Sequence, residues 1–547
     1  MRYIESMNRM QIVLIPETLN DLVSEKNPIR VIDEFISQLN LEDLGFIKTR
    51  LDKTSPGAPC YSPEYLLKLY IYGYFKRIRS SRKLMEACMT NIEAMWLLGR
   101  LTPDFRTISD FRKKNASAIK KVFTVFVKIC VELGLYNKEI GVQDGSKFRA
   151  ENSKDNNVTE TKLQKKIEIV EEKINKYLEE MDKIDEEESD PQEYTKEEIE
   201  EKICKLRERK EQYNELSKEM KEEGVTQKSF IDPESRLMKT ANGGFDVCYN
   251  AQIIVDPGSH IVGAVEVTNQ CNDMGLLSPV TKRIKEELGI DTIEVVADKG
   301  YEDKADMLEC LMNGTIAHVP SKAGEGSYEY ELEYKEASIT EEVLNSTKPE
   351  DIKTCLKSGV VPTVYKDKGI EVTIEEVEQY VIEEGEPQSK FTLNEDGTAL
   401  TCPSGSTLNK VSRLHKKDKT RYASRATCKD CTNKCTTSAY KQVDLKDGQT
   451  VLYTKKFQKF KRVRIKQTPD KDKIRNRKSV VEHPFGTIKR WNDGSYTLLR
   501  GKEKAGADLS LLFLGYNIKR VISMVGIPEL IEKIRKLMGA VRFGYSN

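Results

Sequence analysis

Between residues 138 and 320 the spacing of apolar residues switches between a period of two and one of about 3.6, and this alternation constrains the fold more than any other feature of the chain. KEIGVQDGSKF, CYNAQIIVD and HIVGAVEVT read as three successive strands. A helix over 274–288, the strand TIEVVADKG, a helix over 303–313 and the strand TIAHVP follow. The segments on either side have other patterns. Residues 1–135 are helical, with a basic-aromatic stretch, YLLKLYIYGYFKRIRSSRKLMEAC, that suits a small module holding DNA or a plain helical core with a basic rim. Residues 321–470 are Glu-rich and then Thr/Gly/Lys-rich and strand-like, and 471–547 return to helix.

Strand–strand–strand–helix–strand–helix–strand, then a later helix, is the order of a ribonuclease H-like fold. The expected class is therefore α/β, with an all-α N-terminal domain (1–135) and a core assembled from 136–158, 224–320 and 471–547. Two insertions interrupt that core, 159–223 and the mixed, partly β segment 321–470. A length of 547 residues accommodates three or four such units. No window approaches the roughly 18 consecutive apolar residues of a membrane span. The first residues lack a signal-peptide pattern, and the twelve Cys read as reduced thiols or a metal site.

The 89 Lys and Arg nearly balance the 88 Asp and Glu, but the balance hides two opposed segments. Residues 159–223 hold 14 basic and 23 acidic residues; residues 455–490 hold 14 basic and 3 acidic ones. In the acidic segment Leu163, Ile167, Val170, Ile174, Tyr177, Met181 and Ile184 recur at heptad spacing. A Pro191-containing break and a second stripe through Ile199, Ile203, Leu206, Tyr213 and Met220 predict an antiparallel helical hairpin, structural or dimerising. In the basic segment KKFQKFKRVRIK suits phosphate tracking with base stacking, or a solvated basic strand.

Three carboxylates occupy informative places. Asp144 closes the run IGVQ before Gly145, where the chain is expected to turn away, and Asp298 closes IEVVA before Lys299-Gly300. Glu482 lies in RNRKSVVEHPFGTIKRW. In open α/β sheets ligands gather at strand ends. Three carboxylates can hold two hard divalent ions, which stabilise the attacking and leaving oxygens of a phosphoryl displacement. An Asp-Gly after a strand is also an ordinary turn, and Asp256, Asp273, Asp303 and Asp306 compete, Asp303 as a helix cap. Glu482 and Lys489, seven apart, share a helix face with Phe485; Pro484 predicts a kink beside Glu482 or a helix beginning at Pro484.

Taken in order, VQDGSKFRAEN, DPESRLMKTANGGFDVCYNAQIIVD, VVADKGY and VEHPFGTIKRW resemble the blocks of bacterial insertion-sequence transposases of the DDE type, in the branch with an N-terminal helical domain and a Cys-containing insertion. The resemblance implies Asp144, Asp298 and Glu482 as the triad binding two Mg²⁺ or Mn²⁺. It also implies hydrolysis at transposon ends and attack of the freed 3′-hydroxyl on target DNA. Terminal inverted repeats and target DNA are the implied partners, with a homodimer on DNA in the bacterial cytoplasm, at the nucleoid. Of the related Tyr-x₂-Arg-x₃-Glu-x₆-Lys pattern, Glu482 and Lys489 match, while the first two positions read Arg475 and Lys478. Lys147, Arg149, Arg475, Arg477, Lys478, Lys489 and Arg490 are the candidate DNA contacts. Trp491 is a candidate for stacking on a base or for the core.

Cys402, Cys428, Cys431 and Cys435 form C-x₂₅-C-x₂-C-x₃-C, which suits a closed, structural tetrahedral zinc, with scattered thiols as the alternative. A metal-dependent nuclease, a DNA-binding relative without activity and a coiled-coil scaffold are the competing readings of the whole chain.

Overall fold

The computed structural model describes residues 18–47, 60–186, 196–240, 243–324, 326–385, 391–411, 420–432, 439–446 and 449–540. The helical start of the chain forms α1 (Ile29–Ser37), α2 (Pro63–Lys76), α3 (Ser81–Thr90), α4 (Ile92–Leu98), α5 (Phe105–Lys114) and α6 (Ala116–Glu132). Local sequence sets their ends. Ser62 accepts the Glu64 N–H ahead of Pro63 at the first position of α2, and Asp104 accepts the Arg106 and Thr107 amides at the start of α5.

The chain then enters β1 (Ile140–Arg149) and leaves the sheet through β2 (Asn157–Thr159). Next come the helices α7 (Glu160–Glu186) and α8 (Lys196–Glu222), and the chain returns through β3 (Gln227–Ser229), which pairs β2. Val170 and Ile174 of α7 pack on Ile199 and Ile203 of α8, and Leu163 packs near Leu216 and Met220, so the seam faces α8 over its described part, while the Ile184 side chain and the Pro191 break lie outside the described residues.

β4 (Arg236–Lys239), β5 (Phe245–Val255), β6 (Val262–Thr268), α9 (Leu277–Leu288), β7 (Ile293–Val296), α10 (Lys304–Met312) and β8 (Thr315–His318) complete the sheet. Its order is β4–β5–β1–β7–β8, with β6 sharing the β4 edge of β5. β5 is antiparallel to β1 and to β6, whereas β7 is parallel to β1 and β8 to β7. Adjacent parallel strands require crossovers, which α9 and α10 provide.

The second insertion opens with β9 (Tyr328–Glu333), α11 (Glu341–Asn345), α12 (Pro349–Lys357) and β10 (Ile370–Gly385). Short strands β11 (Thr392–Leu393), β12 (Ala399–Thr401), β13 (Thr407–Lys410) and β14 (Thr420–Ala423) follow, then α13 (Arg425–Lys429), β15 (Gln442–Lys446) and β16 (Gln449–Gln467). All eight strands join one sheet in which β16 lies between β10 and β9. The basic run of the sequence is β16, and it is matched by acidic neighbours. Arg464 Nη1 is 3.2 Å from Glu375, Lys466 Nζ is 3.6 Å from Glu371, and Arg462 Nη1 is 2.6 Å from Glu331.

The chain closes with α14 (Lys471–Gly486), one π-helical turn over Thr487–Trp491, α15 (Lys502–Val525) and α16 (Ile527–Ala540). α15 is apolar because it is the central core helix, packing on α2, α6 and β6. Its Gly515 lies against the α2 backbone, where a Cβ would stand 3.2 Å from the Tyr74 carbonyl carbon. Asp508, fully buried on α15, meets Arg79 at 2.9 Å, Arg112 at 3.1 Å and the Tyr74 hydroxyl, and so ties the N-terminal helices to the rest of the chain. Among the described residues no single helix is long and apolar enough to cross a membrane.

Candidate active site

The register of the sheet brings two of the acidic positions together. β1 and β7 pair in parallel with Val142 opposite Val296, so continuing by two places sets Asp144 beside Asp298. β7 has ended by then, and Asp298 caps the short turn Lys299–Tyr301. β1 continues straight to Arg149 against β5, so Gly145 does not make the turn its sequence suggests. It makes room instead. Gly145 points to the face opposite Asp144, where an added Cβ would stand 2.6 Å from Asp273 Oδ1.

The two carboxylates are held alike. Asp144 Oδ1 accepts the Gly145 amide at 2.9 Å, and Asp298 Oδ1 accepts the Gly300 amide at 2.7 Å. Each Oδ2 then faces one guanidinium: Arg477 Nη1 is 3.5 Å from Asp144 Oδ2, and Nη2 is 4.0 Å from Asp298 Oδ2. Burial pushes the Asp144 carboxyl up to about 6; the Arg477 charge and the Gly145 amide oppose the rise, while Asp298 and Asp273 add to it.

Helix α14 is fixed along its length. Asp470 caps its first turn and donates its own amide to His318 Nδ1 at 3.1 Å, while Lys473 pairs with Glu294 at 2.5 Å. Glu294 also pairs with Lys368 and His318, and these partners hold its carboxyl well below the usual range despite the opposing effect of burial. Of the two expectations for Pro484, a helix beginning there is not met, since Pro484 lies inside Lys471–Gly486. The Val480 carbonyl that a residue-484 amide would have bonded faces the His260 ring, with Nδ1 at 3.3 Å. Since a carbonyl only accepts, that nitrogen carries the proton. The irregularity falls one turn later, in the π-helical turn that carries Lys489, Arg490 and Trp491.

The structure does not bring Glu482 to the pair. It is 65% exposed, and Lys478 is its partner at 3.6 Å. Among the described residues no group of three His, Cys, Asp or Glu side chains could hold a metal ion. Asp144 and Asp298 nevertheless suit a hard divalent ion, since each turns one free oxygen toward a cation they already share. The four competing aspartates have other partners. Asp256 closes the Asp256–Ser259 turn, Asp303 caps α10, and Asp306 accepts the Leu277 and Ser278 amides. Asp273 accepts from Asn250 and Gln252, both at 2.8 Å.

The candidate DNA contacts divide by burial. Arg475, Lys478 and Arg490 are exposed, and Trp491 is 62% exposed, which removes it from the core. Lys489 turns inward: Nζ donates to Ser146 Oγ at 2.5 Å and to the Lys147 carbonyl at 2.7 Å, over the Phe148 ring. Burial, with Lys147 adding, lowers its ammonium to about 8. Lys147 points to the opposite face, 3.6 Å from Asp273, and Arg149 is an exposed partner of Asp246. Arg477 is only 16% exposed and faces the aspartates. Cys402 and Cys428 both pack against the small core of Leu400, Leu408 and Tyr422, and Cys431 lies nearby in sequence; Cys435 is outside the described residues. Sequence reasoning missed Arg477 as the partner of the aspartates, and Glu294 and His260 as the anchors of α14. Glu294 and His260 stand in no motif, and Arg477, though inside RNRKSVVEHPFGTIKRW, occupies an unspecified position of the related pattern.

Residues 17–114 match a family of transposase domains (DUF772), and residues 401–522 match the family described as the transposase DDE domain. The second match contains Glu482, Lys489 and α14, whereas Asp144 and Asp298 lie outside both. No curated protein matches the chain. A solved structure described as a piggyBac transposase synaptic complex with hairpin DNA aligns over 94% of this chain and 80% of its own. Its identity of 8% and TM-score of 0.30 are too low to carry a structural argument.

Proposed function

We propose that this chain, which its two matched domains mark as an insertion-sequence DDE transposase, cuts DNA at the ends of its element and joins the freed 3′-hydroxyl to target DNA. The observation that carries the reading is the pair of aspartates, each with one oxygen pinned by a glycine amide and the other turned toward a common cation. The strand order supports a ribonuclease H-like core: on one side of β1 lies antiparallel β5, itself antiparallel to β6 and β4, and on the other lie the parallel strands β7 and β8.

In this reading Asp144, Asp298 and, once it is turned in, Glu482 would hold two Mg²⁺ or Mn²⁺, which would supply the positive charge that stabilises the attacking and leaving oxygens of an in-line phosphoryl displacement. The chain's own part is to bind and orient DNA beside the pair. Lys489, fixed on β1, presents an ammonium to a phosphate near the reacting bond, and Arg475, Lys478 and Arg490 extend the basic surface along α14. Trp491 offers an exposed ring on which a base can stack. Lys147 and Arg149 point to the other face of β1, on Asp273 and Asp246, so on the face of the pair it is Arg477 that would join the phosphate contacts once it is freed from the aspartates.

The N-terminal helices would dock on terminal repeats, with two copies holding two ends. Cys402, Cys428, Cys431 and Cys435 would hold a structural zinc that fixes the small β core of the insertion. Such a protein works in the bacterial cytoplasm, on the nucleoid.

The test is an assay with labelled element-end DNA and a target plasmid. Cleaved ends and joined products are expected from the native chain, and neither from D144N or D298N. Cleavage without joining would make the protein a nuclease, and binding without cleavage would make it a DNA-binding relative.

A further inference from the structure

We infer that Arg477 is a resident competitor for the divalent ion at Asp144 and Asp298, so that guanidinium and ion occupy the pair in turn. The inference rests on reading the pair as the ion's site.

Other cations around the pair have partners elsewhere. Lys473 is on Glu294, Lys478 on Glu482, Lys147 on Asp273, and Lys489 on Ser146 and the Lys147 carbonyl. Among the described residues only Arg477 pairs with both free oxygens. It supplies the positive charge that two neighbouring carboxylates need in order to stay ionised together. Its hold is loose, however. Separations of 3.5 and 4.0 Å are those of charge pairing without a well-formed hydrogen bond, and Nη1 is buried with no hydrogen-bond acceptor. A group held this way balances charge and gives up little on leaving. A divalent ion needs the same two Oδ2 atoms, and two cations cannot share them without strong repulsion.

The helix makes the exclusion structural as well as electrostatic. Arg477 and Glu482 are five residues apart, about 140° around α14 at about 100° per residue. The arrangement that seats Arg477 on the pair therefore turns Glu482 toward solvent, where it is 65% exposed. Seating Glu482 requires Arg477 to move away, which frees a guanidinium beside the place where a phosphate would lie. Without the ion the charge of the aspartates is thus partly offset and the third carboxylate is held out, so the site assembles only when an ion displaces the arginine.

The test is isothermal titration of the full chain with MnCl₂ at fixed ionic strength, comparing the native protein with R477Q, R477M and D144N. Removing a charge this close should tighten Mn²⁺ binding in R477Q and R477M by about tenfold or more, the scale on which a neighbouring charge shifts a carboxylate's affinity for a proton. D144N should lose the binding. Native or weaker affinity in the arginine variants would overturn the inference while leaving the site in place. Native affinity in D144N would instead overturn the site itself. Using two arginine variants keeps the test available if one fails to fold.

Discussion

Single residues decide what the site can do, and Lys489 has the most direct consequence in solution. Its ammonium, lowered to about 8 by burial, is charged at neutral pH and loses its proton as pH rises through that value. DNA affinity measured by fluorescence anisotropy should therefore fall between about pH 7 and 9, and K489M should remove that part of the pH profile. A profile unchanged in K489M would remove Lys489 from the DNA surface. At the aspartates, D144N and D298N should each cut end cleavage by more than the roughly 100-fold cost of disturbing a group that only supports a metal ligand. E482Q should do the same, even though Glu482 faces solvent in this arrangement. Asp-Gly shows where residue-level reading stops. As a dipeptide it signals a turn, but β1 runs through it because β5 supplies eight consecutive partners, and that information lies a hundred residues away.

At the scale of elements, periodicity was legible wherever one element decides its own burial. The heptad seam of α7 and the strand–helix alternation of the core both appear where the sequence places them. I174A should open that seam at a cost of about 2–5 kcal/mol, read as lost hydrogen-exchange protection in α7 and α8 with the core sheet unchanged. Protection lost across the sheet as well would mean that the hairpin is not an independent insertion. Patterns that depend on a partner were not legible. The basic run of β16 read as a phosphate track or a solvated basic strand, and only its register with β10 reveals Glu371 and Glu375 beside Lys466 and Arg464. Pro484 likewise suggested a kink or a helix start, and the helix runs through it, the carbonyl it leaves without a backbone donor meeting an imidazole from 220 residues earlier.

On the scale of the whole molecule, the N-terminal helices and the C-terminal helix α15 are joined through Asp508, whose partners Arg79 and Arg112 lie 429 and 396 residues away. No sequence period could show that contact. Burial raises the Asp508 carboxyl, but the two guanidinium groups outweigh burial and hold it below the usual carboxylate range. A depressed folded value means that its contribution is present above the unfolded value of about 3.9 and is lost as pH falls through the lower folded one. Acid should therefore loosen this junction below about pH 4, and D508N should cost about 3–5 kcal/mol at neutral pH, since it leaves two buried guanidinium groups unpaired. A melting temperature unchanged in D508N would contradict that role.

The proposed function would require two DNA ends to be held together, so light scattering on end DNA should give two copies per complex, and a single copy would exclude the dimer. The most direct test of the account is a crystal structure of the protein with end DNA and Mn²⁺, in which anomalous scattering locates the ions. The account predicts an ion between Asp144 and Asp298, bound by Oδ2 of each at about 2.1 Å, with Arg477 withdrawn. Ions elsewhere, or an Arg477 still seated between the two aspartates while DNA is cut, would contradict it.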